Sequence, residues 1–389
     1  MAATRTPLRN GVRRVEPPRF GNFPGARFIG AAECRAALEV LAARSPYRFY
    51  GLRLLRRCEA LEAQAAHRFA RRHALAVSSG TAALHTAFWA VGVSPGDEVI
   101  LPAYGWSAAL MAILALGATP VIAPIDETLG LDPVALPRCV TKRTRAIIAI
   151  HMRGAPCDLQ AIAASGKRLG VPVIEDGAQA IGGAVSGLPV GALGMVSVMS
   201  FQYNKLLTSG EGGLVLTSDR RLHERAVRFH DLGMRRRPGM ADPAGDRCIG
   251  SFGLNYRMSE LQAALLIAQL KKMPHILAAL RRTYGQAREV VAPFCERFHL
   301  TERPLPPGVR GNHAFLCLAA RRERDAAQAV AAMRRRRIPI VRCARRDAHH
   351  LQAWIAWLRR ERRPFRVVDD ARSVAILRRT LCVEVNAST

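Results

Sequence analysis

Lys205 lies in a segment, residues 200–213, between two apolar runs that predict buried strands, residues 195–199 and 214–217. The chain has only five lysines and places arginine at nearly every other cationic position. Arginine cannot replace an amine that must lose its proton and attack a carbonyl, because a guanidinium group stays protonated. Lys205 is therefore a candidate nucleophile, and the alternative is a solvated lysine in a surface loop.

Two carboxylates, Glu175 and Asp176, follow another apolar run, residues 171–174. A carboxylate at the end of a buried strand is costly unless a cation or several hydrogen-bond donors meet it. Asp176 could be the N-cap of a helix. It could instead hold a cationic heterocycle, and a protonated pyridine nitrogen paired with a carboxylate is what pyridoxal phosphate requires.

Ser79, Gly80 and Thr81 form a turn between a short apolar run that begins at Ala74 and an apolar helical segment. Such a turn leaves backbone N–H groups free at a helix N-terminus, where a phosphate can bind. The alternative is an ordinary capped helix, with Ser79 or Thr81 as the N-cap.

Apolar runs alternate with helical segments along the first two thirds of the chain, and this rhythm predicts an α/β fold. The runs are residues 98–101, 120–124, 145–151 and 171–174. We expect a largely parallel sheet with helices on both faces, and ligands at the C-terminal ends of its strands. Residues 107–125 read as a buried helix and strand, so no membrane span is expected.

The length of 389 residues predicts two domains: residues 46–275 as the larger and 276–389 as a smaller α+β domain, after an N-terminal arm and short helix in residues 1–45. The net charge of +28 suggests nucleic acid, anionic membranes or acidic substrates. Arginine is spread along the whole chain, however, which coding bias also explains, and we expect neither a nucleic-acid nor a membrane partner. The nine cysteines contain no C-x-x-C pair, which argues against a zinc site. Their odd number and the lack of a signal peptide favour the cytoplasm.

Six motifs, in order over about residues 50–275, resemble the DegT–StrS-type sugar aminotransferases, which have the fold of aspartate aminotransferase (fold type I). The motifs are residues 79–84 (SGTAAL), 96–102 (GDEVILP), 175–180 (EDGAQA), 200–201 with Lys205, 210–213 (GEGG) and 253–264 (GLNYRMSELQAA). The resemblance implies a pyridoxal-phosphate-dependent aminotransferase. It also implies a C-terminal domain shorter than usual, because the family continues with another helix beyond the position where this sequence ends, Thr389.

The resemblance also implies roles for single residues. Lys205 would attach the cofactor through an imine, and Asp176 would pair with its pyridine nitrogen. Trp106 would stack on the ring, and Gln179 would lie near the ring hydroxyl. Gly80, Thr81 and Ser200 would bind the phosphate, and Asn255 would reach the phosphate of a neighbouring subunit in a homodimer.

The implied substrates are an amino acid donor, glutamate or glutamine, and a keto-sugar or keto-cyclitol, as in amino-sugar or secondary-metabolite biosynthesis. Residues 125–132 and 151–154 resemble the branch that makes 8-amino-3,8-dideoxy-octulosonate, whereas residues 202–213 resemble cyclitol aminotransferases and 3-amino-5-hydroxybenzoate synthases. One alternative is a dehydratase or synthase on the same scaffold, although family dehydratases typically carry histidine where Lys205 stands. The other is a regulatory homologue that binds nucleic acid.

Overall fold

The structure is a computed structural model that describes residues 24–236, 239, 250–343, 349 and 351–385. Most of the predicted N-terminal arm, residues 1–23, lies outside the described residues, as does Cys248.

The described residues form fifteen strands and twelve α-helices. The strands are β1 His73–Val77, β2 Glu98–Pro102, β3 Thr119–Ala123, β4 Thr144–Ile150, β5 Val173–Asp176, β6 Ala184–Val185, β7 Leu188–Pro189, β8 Val196–Ser200, β9 Gly213–Thr217, β10 Thr301–Glu302, β11 Val309–Arg310, β12 Phe315–Ala319, β13 Ile340–Arg342, β14 Arg366–Val367 and β15 Thr380–Glu384. The helices are α1 Pro24–Arg27, α2 Ala31–Ala42, α3 Arg57–Arg68, α4 Gly80–Ala90, α5 Ala108–Ala115, α6 Leu136–Cys139, α7 Leu159–Leu169, α8 Arg220–His230, α9 Glu260–Phe298, α10 Glu323–Arg335, α11 Leu351–Arg360 and α12 Asp370–Arg379.

Eight strands form the large sheet, in the order β1-β9-β8-β5-β4-β2-β3-β14. Only β9 is antiparallel to its neighbours, β1 and β8, so the other strands run in one direction. The mostly parallel sheet expected from the sequence is confirmed. Because parallel strands end at the same edge, the segments that follow β1, β2, β4, β5 and β8 meet there.

The large sheet is buried on both faces. Along β4, Ile148 packs in one apolar cluster with helices α4 and α5, whereas its neighbours Ile147 and Ala149 pack in another with α6 and α7. Successive side chains of a strand point to opposite faces, so this alternation shows helices on both sides of the sheet. Burying an isoleucine side chain contributes about 2 kcal/mol, and the long apolar runs therefore fix the position of the strands that carry the site.

The C-terminal part forms a four-stranded antiparallel sheet in the order β10-β12-β15-β13. Helix α9 leads into it and starts at a capping box made by Ser259 and Gln262. The predicted domain boundary at residue 275 falls inside α9, and β14 pairs with β3 of the large sheet. The domain limits therefore stay a prediction.

Helix α9 is the one helix among the described residues that is long and apolar enough to cross a membrane. More than half of its most apolar window, 56%, is buried inside the protein, where it packs against α2, α3 and α10. This pattern is typical of a long core helix.

Candidate functional site

Lys205 lies in the turn after β8, at the edge where the parallel strands end. Its backbone N–H donates to the carbonyl of Gln202 (2.9 Å), and its own carbonyl accepts from Gly25 N–H (3.1 Å). The side chain lines a cleft of about 520 Å³. Burial lowers the pKa of Lys205, and the carboxylates of Asp176 and Glu211 only partly oppose this. No described residue accepts a hydrogen bond from Nζ, so the amine is free to react.

Glu175 and Asp176 point to opposite sides of β5 and have different surroundings. Glu175 is buried, and burial by itself would raise its pKa. Its hydrogen-bond donors, of which His151 has the largest effect, outweigh burial and lower the pKa to about 2. The donors are His151 Nε2 (3.2 Å), Gly191 N–H (2.6 Å), Leu193 N–H (3.2 Å), Gly194 N–H (3.0 Å) and the Ser197 hydroxyl (2.9 Å). Glu175 thus has a structural role.

Asp176 lines the cleft beside Lys205. Its Oδ1 accepts from Ala178 N–H at 3.0 Å, and no described side chain or backbone N–H donates to its second oxygen. Burial raises the pKa of Asp176, while the nearby Lys205 cation opposes the rise. A buried carboxylate with an open acceptor position suits a cationic partner.

The N-terminus of α4 lines the cleft together with Lys205 and Asp176. Ser79 is the N-cap, since its hydroxyl accepts from Ala82 N–H at 3.0 Å. The backbone N–H groups of Gly80 and Thr81 have no partner in the part of the chain that the structure describes. A Cβ at position 80 would lie 2.7 Å from Ser200 Cβ, so only glycine allows the helix to approach Ser200 this closely. The start of α4 thus combines two N–H groups that have no described partner with close packing against Ser200, an arrangement suited to a phosphate.

Two further predicted residues lie on the cleft wall. Trp106 is 48% exposed, and its ring lies 4.8 Å from that of His349. Gln179 Oε1 accepts from the backbone N–H of Arg153 at 3.2 Å. Asn255 is exposed, is not among the described residues that line the cleft, and pairs with Asp231 in an isolated bridge. The cleft therefore brings together all of the predicted site residues except Asn255.

The DegT/DnrJ/EryC1/StrS aminotransferase family model matches residues 52–368. The chain belongs to this family of pyridoxal-phosphate-dependent aminotransferases. An aminotransferase from Psychrobacter cryohalolentis is 25% identical, with a TM-score of 0.80 over 92% of both chains. A 3-amino-5-hydroxybenzoic acid synthase is also 25% identical, with a TM-score of 0.75 over 92% of this chain and 91% of that one. A GDP-4-keto-6-deoxy-D-mannose-3-dehydratase from E. coli with bound hydrated PLP, 20% identical, has a TM-score of 0.77 over 95% and 96% of the chains and shows the shared fold.

The family's cofactor can be tested against the residues present. An aldehyde needs a free amine, a pyridinium needs an open carboxylate oxygen, and a phosphate needs convergent N–H donors. Lys205, Asp176 and the start of α4 provide these three features in one cleft. Within the described residues, no group of His, Cys, Asp and Glu side chains is suited to hold a metal ion. The residues therefore fit pyridoxal phosphate.

Sequence reasoning missed several cleft residues that come from distant parts of the chain. Asn312 ties the C-terminal part to the cleft, because its Nδ2 donates to the carbonyls of Gln179 (3.2 Å) and Ile181 (3.1 Å). Phe315 and Glu384 line the cleft from the small sheet. No local pattern around these residues indicates a site. Arg153 belongs to the motif at residues 151–154, but its role depends on burial, which the motif does not reveal.

Proposed function

We propose that this chain binds pyridoxal phosphate in the cleft through Lys205 and transfers an amino group from glutamate or glutamine to a keto-sugar or keto-cyclitol. The observation that carries the proposal is the meeting, in one cleft, of a lysine amine, a buried carboxylate oxygen and a helix N-terminus that have no partner among the described residues. The likeness to a hydroxybenzoate synthase supports a role in biosynthesis.

Each residue of the cleft has a distinct task in this proposal. Pyridoxal phosphate, when bound, supplies an electron sink for the substrate carbon that carries nitrogen. Lys205, whose pKa burial lowers, would provide a neutral Nζ that takes the proton from that carbon and delivers it to the cofactor, so that the amino group can leave the donor. Asp176 keeps a proton on the ring nitrogen, because a buried carboxylate favours a cation beside it. Gly80, Thr81 and Ser200 hold the phosphate.

Lys205 also separates the proposal from the dehydratase alternative. The sequence resemblance implies histidine at this position in the family's dehydratases. A lysine can both attach the cofactor and move the proton, which is what transamination requires.

The decisive experiment is an absorption spectrum of the purified protein with and without an amino donor. We expect a visible band that disappears when glutamate or glutamine is added. Borohydride reduction followed by peptide mass spectrometry should place the cofactor on the peptide that contains Lys205. Lys205→Ala should lose the band and the activity, whereas Lys142→Ala, at an exposed lysine, should keep both. Attachment at another lysine would refute the assignment of Lys205.

A further inference from the structure

Arg153 lies in the loop after β4 and is held there in an uncommon backbone conformation. Its φ is +54°, in the left-handed region that non-glycine residues seldom adopt. Arg303 supports this loop, since its guanidinium donates to the carbonyls of Met152 (2.8 Å) and Arg153 (3.1 Å). The backbone N–H of Arg153 is held by Gln179, as described above. The chain thus accepts local strain to place this side chain at the cleft.

The Arg153 side chain is only 8% exposed and lines the cleft together with Lys205. Its Nε donates to the hydroxyl of Tyr104 at 2.9 Å, and its guanidinium carbon lies 5.3 Å from the centre of the Phe315 ring. No carboxylate among the described residues forms an ion pair with it, and its two terminal nitrogens donate to no described residue. A buried charge without a counterion is costly, so the described surroundings of Arg153 are suited to receive an anion.

We propose that Arg153 binds a carboxylate of the substrate through its two terminal nitrogens. Tyr104 and Phe315 fix the plane of the guanidinium, and because Arg153 lines the cleft, the proposal assigns the fork of its two terminal nitrogens to a ligand in the cleft. A planar fork of this kind matches the two oxygens of a carboxylate. This inference rests on the proposed function, because it concerns the substrate of the same cleft.

The charges of the cleft favour a carboxylate over a diphosphate. Despite the net charge of the chain, the described lining holds two strong bases, Arg153 and Lys205, against three acids, Asp176, Glu211 and Glu384. A diphosphate would bring at least two negative charges next to these acids, whereas a carboxylate brings one. Either the amino acid donor or an acidic keto-sugar could supply that carboxylate, and the two sources can be separated by experiment.

The test is calorimetric titration of the purified protein with glutarate, which has the carbon skeleton of the donor, and with glucuronate, a sugar carboxylate. Arg153→Gln should weaken the binding of at least one of them roughly 30-fold or more, because it removes the charged partner of a buried pair. Binding of glucose, which lacks the carboxylate, should not change. Arg282→Gln, which removes one exposed positive charge from α9, is the matched control and should bind all three as the wild type does.

The pattern of loss identifies the source of the carboxylate: an effect on glutarate assigns Arg153 to the donor, and an effect on glucuronate assigns it to the acceptor. Equal affinities of wild type and Arg153→Gln for both anions would overturn the proposal. Tighter Arg153-dependent binding of inorganic pyrophosphate than of either carboxylate would overturn it as well.

Arg153→Lys keeps the charge and loses the fork, so it tests the same contact if Arg153→Gln does not fold. We expect a partial loss of carboxylate affinity in this variant, and no loss would count against a two-nitrogen contact. The visible band of the cofactor is recorded on each variant, because it reports on the proposed function separately. A wild type that binds these anions through Arg153 but shows no band would refute the cofactor and support the anion site.

Discussion

Adjacent carboxylates on β5 show how strongly the surroundings of a residue determine its role. Glu175 accepts from five donors, whereas Asp176, which lines the cleft, has one oxygen that accepts from no described donor. Strand alternation alone places them on opposite faces. We therefore expect different results when each residue is changed to its amide: a slower reaction for Asp176 and a less stable fold for Glu175.

Asp176→Asn should retain the cofactor, since the phosphate contacts at α4 remain, but should slow turnover by roughly two orders of magnitude or more. An amide holds a proton on the ring nitrogen poorly, because it carries no negative charge. The visible spectrum measures cofactor retention, and steady-state kinetics measure the rate. Turnover at the wild-type rate would mean that the ring nitrogen does not meet Asp176.

Glu175→Gln should instead destabilise the fold. The carboxyl pKa falls from an ordinary 4.5 to about 2, so ionised Glu175 contributes at most about 3 kcal/mol to the free energy of unfolding above pH 4.5. A lowered folded-state pKa means that this contribution decreases as the pH falls from 4.5 toward 2. Urea unfolding of both proteins at neutral pH and at pH 3.5 should therefore show a smaller difference at the lower pH. A difference that grows on acidification would contradict the assigned direction.

At the scale of an element, the start of α4 depends on one glycine. Gly80→Ala should weaken cofactor binding at least about tenfold, because the new methyl group collides with Ser200 and pushes the helix away from the phosphate. Equilibrium dialysis of the cofactor measures the effect. Gly285→Ala is the matched control: it lies inside α9 with no atom within 4 Å of the added Cβ, and should stabilise the helix by up to about 1 kcal/mol.

A second variant separates the collision from other causes. Combining Gly80→Ala with Ser200→Gly removes the two atoms nearest to the added methyl, at 2.7 and 2.9 Å. The double variant should then bind the cofactor more tightly than expected from the sum of the losses in binding free energy measured for the two single variants. Strict additivity would mean that the methyl group acts by some route other than contact with Ser200.

The sequence predicts the strands better than their arrangement. The apolar runs correctly indicate β2, β3, β4 and β5, and their helical spacers indicate a parallel sheet. Nothing in those runs indicates that β9 lies between β1 and β8 and is antiparallel to both, because the direction of a strand depends on the length and path of the segment that connects it to the preceding strand.

For the site as well, local patterns in the sequence predict single residues, but they do not predict contacts between distant segments. Lys205, Asp176 and the turn at Gly80 each have a local pattern, and their placement at strand ends brings them together. Arg153 belongs to a motif, residues 151–154, but the motif does not show that its side chain is buried against Tyr104 and Phe315, which are far away in the sequence. A property that depends on contacts between distant segments cannot be read from one segment.

For the whole molecule, we propose the homodimer with shared sites that the family resemblance implies, and the exposed position of Asn255 outside the cleft of its own chain is compatible with it. Mixing the inactive Lys205→Ala and Asn255→Ala chains should restore activity, because each mixed dimer has one site with both defects and one with neither. Random pairing makes half the dimers mixed, so recovery should approach about a quarter of the wild-type activity. Mixed dimers that form but remain inactive would show that Asn255 does not serve the partner's site.

The short strand β14 has a consequence for how the protein is made. Residues 366–367 cover the edge of β3, and Arg366 reaches back to the buried carboxylate of Glu98 at 3.3 Å. A ribosome releases these residues long after β2 and β3 have left it, since synthesis proceeds from the N-terminus. Until then the nascent chain presents an uncovered apolar strand edge, a surface on which other chains can pair. The growing polypeptide should therefore need chaperone protection late in translation, after most of its large sheet has been made.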